Sequence, residues 1–438
     1  MKTLWLMLLA CPLVAQFSGS FVLPVEDEAL GYTGYANDPV AKLQERLDRG
    51  EVKIEWQDGQ GYLLPVLRAL YIPVESQVLV FSKTSFQQSL IAPATPRALY
   101  FNDDIYLGFV QNGDVLEVSS QDPVKGAIFY TLDQRKSVKP KFTRRDECLQ
   151  CHASPRTLGV PGHIMRSVYP DGEGFPQLQA GGFTTTHASP FKERWGGWFV
   201  TGTHGGQRHM GNVWVRDKNQ PEKLDIEMGA NRVRLKELVD LSPYATDTSD
   251  IVALSVLQHQ YHLHNLITRV NYETRLALSQ QEGINKALGR PLDEWSDSTK
   301  RRVYGGAEAL LKYMLFTDEV KLDEPIAGTA KYARTFSNWG PRDSKGRSLR
   351  DFDLKTRLFR YPVSFLVYTE AFDNLPATVK QYLYRRLHEV LTARDLEKDY
   401  ASLMAADRVA MLEILTETKP EFRAWLEKEA STKRSSLN

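Results

Sequence analysis

Between residues 77 and 132 the apolar positions come in short blocks of β-branched and aromatic residues. Asn-Asp, Asn-Gly and Asp-Pro breaks separate them, the pattern of strands joined by tight turns. Strands are expected over 77–81, 97–101, 105–110, 115–118 and 127–132, with Gln111-Asn112-Gly113-Asp114 as a hairpin turn. Ahead of them Asp38-Pro39 has the form of a helix start, aspartate as cap and proline at the first helical position, and the apolar spacing runs through Leu43 and Leu47 to Gly50. Beyond Met228 the period changes to that of helices, expected over 232–241, 250–278, 294–320, 377–391 and 405–418. The stretch 159–212 is rich in glycine, histidine and tryptophan and has little helical period, so it reads as loops and short strands wrapped around something. The expected class is therefore α+β: a strand-rich N-terminal part, a loop-rich middle and a mainly helical C-terminal half.

Residues 1–20 read as a secretory signal peptide: Lys2 gives a positive start, 4–14 an apolar stretch, and 15–20 small or polar residues suited to cleavage. The expected divisions are thus 1–20 signal, 21–140 strand-rich, 141–227 central and 228–438 helical, with an exported, periplasmic mature chain. Leu8-Leu9-Ala10-Cys11 offers a rival reading as a lipoprotein box, less favoured because the apolar run before Cys11 is short. No later segment approaches the ~20 apolar residues that cross a bilayer. With 55 basic and 54 acidic residues and a net charge of +1, nothing in the electrostatics points to nucleic acid.

Three cysteines occur in the chain, and two of them fall in Cys148-Leu149-Gln150-Cys151-His152. That pentapeptide is the attachment signature of haem c: two thiols add across the porphyrin vinyl groups and the adjacent histidine becomes the proximal iron ligand. Three residues are nearly one helical turn, so both sulfurs face one edge while His152 points inward. A thioredoxin-like dithiol would want an apolar strand leading into the motif, and a zinc site would want further closely spaced ligands. Thr143 is the expected cap of the motif helix, with Asp146 and Glu147 in its first turn and Pro155 closing it. Arg144, Arg145, Arg156 and Arg166 flank the motif as candidates for the haem propionates, against the plain alternative of solvated charges.

The sixth iron position separates an electron carrier from a catalyst. In the glycine-rich stretch the candidates are His163, Met165, His187, His204, His209 and Met210, of which His204, His209 and Met210 stand beside glycines that allow close approach of backbone to a flat cofactor. His259 is another candidate distal ligand, on a helical stripe with Val252, Val256, Leu263, Leu266 and Val270, although a buried histidine satisfied by an ordinary polar partner is the commoner arrangement. His264 lies about 140° around the helix from His259 and cannot share one iron with it. Trp195, Trp198, Phe199 and Trp214 suit either the porphyrin face or plain core.

With these residues in view the chain resembles a bacterial family of large single-haem c-type cytochromes, the cytochrome c domain-containing proteins of unassigned substrate. The resemblance rests on Cys148 to Ser154 with Gly159-Val160-Pro161-Gly162-His163, on Glu193-Arg194-Trp195-Gly196-Gly197-Trp198 to Gly205, on Arg208-His209-Met210-Gly211-Asn212 and on Arg357-Leu358-Phe359-Arg360-Tyr361-Pro362. It implies one covalent haem c at Cys148 and Cys151 with His152 as axial ligand, and no agreed substrate. The expected function is electron transfer or haem-dependent redox chemistry, an oxidoreductase if it is an enzyme, with an unidentified redox partner or small-molecule substrate. A non-catalytic haem-binding sensor or docking module is the alternative.

Overall fold

A computed structural model describes residues 22–435, so the expected signal peptide and Cys11 lie outside the described residues. Strands β1 (Val78–Val80), β2 (Arg97–Phe101), β3 (Ile105–Phe109), β4 (Val115–Asp122), β5 (Gly126–Asp133) and β6 (Phe142–Arg144) form one antiparallel sheet in sequence order. Each expected strand block is a strand. The sixth was not legible, because Phe142-Thr143-Arg144 has one apolar residue, and its place is fixed by pairing with β5. Thr143 sits opposite Thr131 in that ladder and does not cap the motif helix, correcting the expectation.

The two-residue side-chain period of strands divides the sheet into two faces. Leu107, Leu116, Val118, Ile128, Tyr130 and Leu132 point to a core shared with helices α1 (Pro39–Asp48) and α2 (Leu63–Ala69). Asp38 caps α1 as its sequence implies, accepting from the Val40 amide at 2.8 Å, and its second oxygen accepts from the buried Tyr130 hydroxyl at 2.5 Å. The opposite face turns Phe101 and Tyr106 toward the largest apolar cluster of the molecule.

The motif forms the short helix α3 (Leu149–His152), and the long helix α4 (Ile251–Leu288) is the axis of the C-terminal half. Asp250 caps α4 and Gly289, at φ +65°, ends it. From Ile251 to Tyr261 every residue of α4 is buried, so this helix is enclosed by sheet and loops on one side and helices on the other. Helices α5 (Asp297–Met314), α6 (Tyr332–Ser337) and α7 (Glu370–Asp373) pack on it, α8 (Ala377–Leu391) packs on α5, and α9 (Ala405–Thr418) and α10 (Pro420–Ser435) stack beyond α8. The central stretch holds one small ribbon, β7 (Arg166–Val168) with β8 (Gly182–Thr184), and a strand β9 (Gly202–Thr203) that pairs with β10 (Ala327–Gly328) of the C-terminal half.

The helix expected over 232–241 is a series of turns, in which Leu235 and Val239 imitate helical spacing because both are buried against the sheet core. The helix expected over 294–320 stops at Met314, where Phe316 takes φ +55°. One apolar cluster joins Val78 and Phe101 of the strand-rich part, Met165 and Trp195 of the middle, and helices α4, α5, α8 and α9. Packing therefore runs across positions 140 and 227.

Candidate haem attachment site

The chain enters the motif from β6 and is held there by Arg144. Its guanidinium donates to the carbonyls of Tyr32 (2.9 Å) and Gly34 (3.1 Å), pairs with Asp146 (2.7 Å) and lies over the Tyr32 ring. Arg144 is thus committed to protein partners, whereas Arg145 reaches only Thr131 at 2.9 Å and, more distantly, Glu147. A single 3-10 turn over Asp146–Cys148 leads into α3, and past the helix Ser154 and Thr157 cap each other around Pro155.

Cys148 is half-buried and Cys151 exposed, and both are free thiols. Burial, followed by the nearby carboxylates of Glu147 and Glu117, pushes the Cys148 thiol up to about 11. A catalytic dithiol needs the reverse, a thiolate stabilised near neutrality, so the geometry speaks against thioredoxin-like exchange. Among the described residues no group of three or more His, Cys, Asp or Glu side chains is arranged to hold a metal ion. A c-type haem makes no such demand, since the porphyrin brings the iron with four nitrogens already bound and asks the chain for one imidazole and two thiols.

His152 meets that demand in a specific way. Its ring packs on Phe129 of β5, centroids 4.7 Å apart, and its Nδ1 lies 2.9 Å from the carbonyl oxygen of Gly162. A carbonyl only accepts, so Nδ1 carries the proton and Nε2 keeps its lone pair, the tautomer that binds iron. Burial lowers the pKa of the imidazole, the Gly162 bond opposes that and Arg97 adds to it, which keeps the ring neutral. The Gly162 amide in turn donates to the His152 carbonyl at 2.9 Å, closing a two-bond clasp.

Gly162 is held from behind by Asn265 of α4. A β-carbon on Gly162 would stand 2.2 Å from Asn265 Oδ1, so only glycine fits. Asn265 also grips the next residue, accepting from the His163 amide at 2.9 Å and donating to its carbonyl at 2.8 Å. Phe129 and Asn265 escaped sequence reading, because nothing local distinguishes an aromatic in a strand or an asparagine in a helix. Behind the clasp lies a buried aromatic group: His163 hydrogen-bonds Ser119 at 2.6 Å and packs 4.2 Å from Tyr106, whose hydroxyl meets His264 Nδ1 at 3.0 Å.

The candidate distal ligands stand in other surroundings. His259 is fully buried, its Nδ1 2.8 Å from His187 Nδ1 and its Nε2 2.8 Å from Ser364 Oγ. His204 donates from Nδ1 to the Gln207 carbonyl at 2.7 Å and accepts at Nε2 from the Asn231 amide at 2.8 Å. His209 accepts the Gly211 amide at Nδ1, which places its proton on Nε2 and withdraws that nitrogen from metal binding. The Met210 sulfur receives the Ser167 hydroxyl at 3.6 Å. Each of these four side chains is engaged in a hydrogen bond within the protein, whereas His163 keeps a buried Nδ1 without a hydrogen-bond partner.

Trp195 lies wholly in the large apolar cluster and Phe199 in the sheet core, so both serve as core. The sheet face next to His152 carries a second row of residues. Leu99, Gly108, Glu117 and Thr131 stand in one cross-strand row there, two residues along from the row of Phe101, Tyr106, Ser119 and Phe129 that His152 and His163 cover. Set against known proteins, the chain matches no family model, no curated protein and no solved structure.

Proposed function

We propose that this chain is an exported single-haem c-type cytochrome that carries out electron transfer or haem-dependent redox chemistry. The observation that carries the reading is the state of His152: beside two free thiols at the attachment spacing, its Nδ1 is committed to Gly162 and its Nε2 is left for iron. Haem bound there supplies one-electron exchange between ferric and ferrous iron. The polypeptide supplies the rest. Cys148 and Cys151 fix the ring edge, the Gly162 clasp sets the imidazole plane and raises its basicity, and Phe129 shields one side of the ring from water. Export fits the same reading, because thioether attachment in bacteria takes place outside the cytoplasmic membrane.

The engaged state of His204, His209, Met210 and His259 favours a sixth iron position that none of these four holds. The test is optical: reduced protein should change its absorption spectrum on exposure to carbon monoxide. A spectrum unchanged by carbon monoxide would assign a fixed sixth ligand and the role of electron carrier.

A further inference from the structure

Tyr106 stands in the same cross-strand row as Phe129, two strands away across Ser119. Neighbouring strands lie about 4.8 Å apart, so the phenol is about 10 Å from the ring on which His152 packs. His163 fills the gap, its ring 4.2 Å from that of Tyr106 and 6.1 Å from that of Phe129. Aromatic contact therefore runs unbroken from the motif to a buried phenol: His152, Phe129, His163, Tyr106.

The hydrogen bonds of this phenol fix where its proton goes. Gln260 Nε2 donates to the Asn102 carbonyl at 2.6 Å, which marks that atom as the amide nitrogen, and it donates again to the Tyr106 oxygen at 3.0 Å. The Tyr106 hydroxyl therefore donates to His264 Nδ1, 3.0 Å away, and the proton of His264 sits on Nε2. That Nε2 is buried without a hydrogen-bond partner. A histidine kept for stability would bond through both nitrogens, whereas this one spends its single side-chain bond on Tyr106 and leaves a costly unpaired N–H. Burial drives His264 down to about 3, so the ring is neutral and its Nδ1 lone pair faces the phenol.

We propose that Tyr106 is a redox-active tyrosine, which gives one electron to haem that hydrogen peroxide has oxidised and passes its phenolic proton to His264 Nδ1. The inference rests on the haem reading above and adds the residue that stores an oxidising equivalent within the polypeptide. In this step the Tyr106 O–H bond breaks, an N–H bond forms on His264, and the haem is reduced by one electron. The product is a neutral tyrosyl radical beside an imidazolium, because an oxidised phenol is a strong acid and a base stands within hydrogen-bond reach. An external one-electron donor reverses the step: its electron refills Tyr106, and His264, a weak base in its buried place, returns the proton. Tyr130, next to Phe129 in β5, points to the opposite core and donates to Asp38, so it lies off this path.

The experiment uses haem-loaded protein, with loading verified by mass, frozen directly after mixing with hydrogen peroxide and read by electron paramagnetic resonance. Wild type should give a tyrosyl signal that narrows when ring-deuterated tyrosine is incorporated and that shows coupling to a histidine nitrogen. Tyr106→Phe should abolish the signal, and Tyr130→Phe should leave it in place. His264→Gln keeps an acceptor for the phenol but offers no base, and should lower the radical yield by about tenfold or more. Loaded wild type without a tyrosyl signal would overturn the proposal while leaving the cofactor assignment intact, and so would Tyr106→Phe protein with the signal of wild type. Should Tyr106→Phe not accumulate, a wild-type radical without coupling to a histidine nitrogen would overturn it equally. Wild-type protein without haem would remove the underlying reading, and the mass measurement distinguishes that case.

Discussion

His152 and Gly162 hold each other through two hydrogen bonds of 2.9 Å, imidazole Nδ1 to the glycine carbonyl and glycine amide to the histidine carbonyl. Nine residues of chain loop out between them, so the clasp fixes the orientation of the imidazole by a contact that the motif alone does not contain. The support continues to Asn265 on α4, and thereby to the core of the C-terminal half.

Replacing Asn265 by alanine should therefore act in two places. It orphans the buried amide and carbonyl of His163, for an expected loss of about 2–4 kcal/mol in urea or guanidinium unfolding. It also loosens Gly162, so haem-loaded protein should show an altered axial-ligand spectrum. Unchanged stability and spectrum would deny Asn265 its supporting role.

A second chain of hydrogen bonds carries its own polarity. Asp318 accepts from His187 Nε2 at 3.0 Å, so His187 Nδ1 is the acceptor for His259 Nδ1, and His259 Nε2 accepts from the Ser364 hydroxyl. Ser364→Ala should cost about 1–3 kcal/mol. A double-mutant cycle with Asp318→Ala should show coupling of about 0.5–3 kcal/mol, although Asp318 and Ser364 do not touch. Strict additivity would mean that the chain does not act as one unit.

Acid should destabilise the fold below about pH 6.5. Burial is the main cause that drives His209 and His264 down to about 3 and His262 to about 4, and it lowers His163 and His259 well below the ordinary value. Their folded pKa values lie below the unfolded value of about 6.5, so the unfolded chain takes up protons first and stability is lost as pH falls. Buried Asp104 and Glu319, raised to about 7 chiefly by desolvation, act in the opposite sense, because the folded state keeps their protons. Among the described residues burial lowers eight histidines, those five with His152, His187 and His204, and raises four carboxyls, those two with Asp38 and Asp250, so the histidines predominate. The net slope between pH 6.5 and 4 should be positive, about 1.4 kcal/mol per pH unit for each uncompensated group, and denaturant midpoints across that range will measure it.

The two thiols should be separable. With Cys148→Ala or Cys151→Ala one thioether remains, and the alkaline pyridine spectrum should move toward that of a haem with one free vinyl group. With both replaced, no covalent haem should survive denaturation. Haem retained by the double variant would place the attachment elsewhere.

How much of this was legible in the sequence varies with the range of the interactions. The five strand blocks, the Asp38 cap and helices α8 and α9 follow from local period and turn chemistry, and the structure contains them. Failures occur where tertiary packing imitates or overrides a local signal. Thr143 looks like a cap but pairs in a ladder, and Leu235 and Val239 look helical but are buried from a loop. The candidate attachment residues stand out in the sequence because the proposed chemistry demands fixed spacing. Phe129 and Asn265 do not, since each reaches His152 or its neighbourhood through strand register or helix packing that no local pattern encodes, and Gly162 stood in a stretch that carries the resemblance without its bond to His152 being legible.

The central claim concerns Cys148, Cys151 and His152, and intact-mass analysis of protein exported by a host with haem-maturation machinery tests it most directly. The account predicts a mass raised by one haem, with neither Cys148 nor Cys151 open to alkylation. A bare polypeptide mass with both thiols alkylated would contradict it.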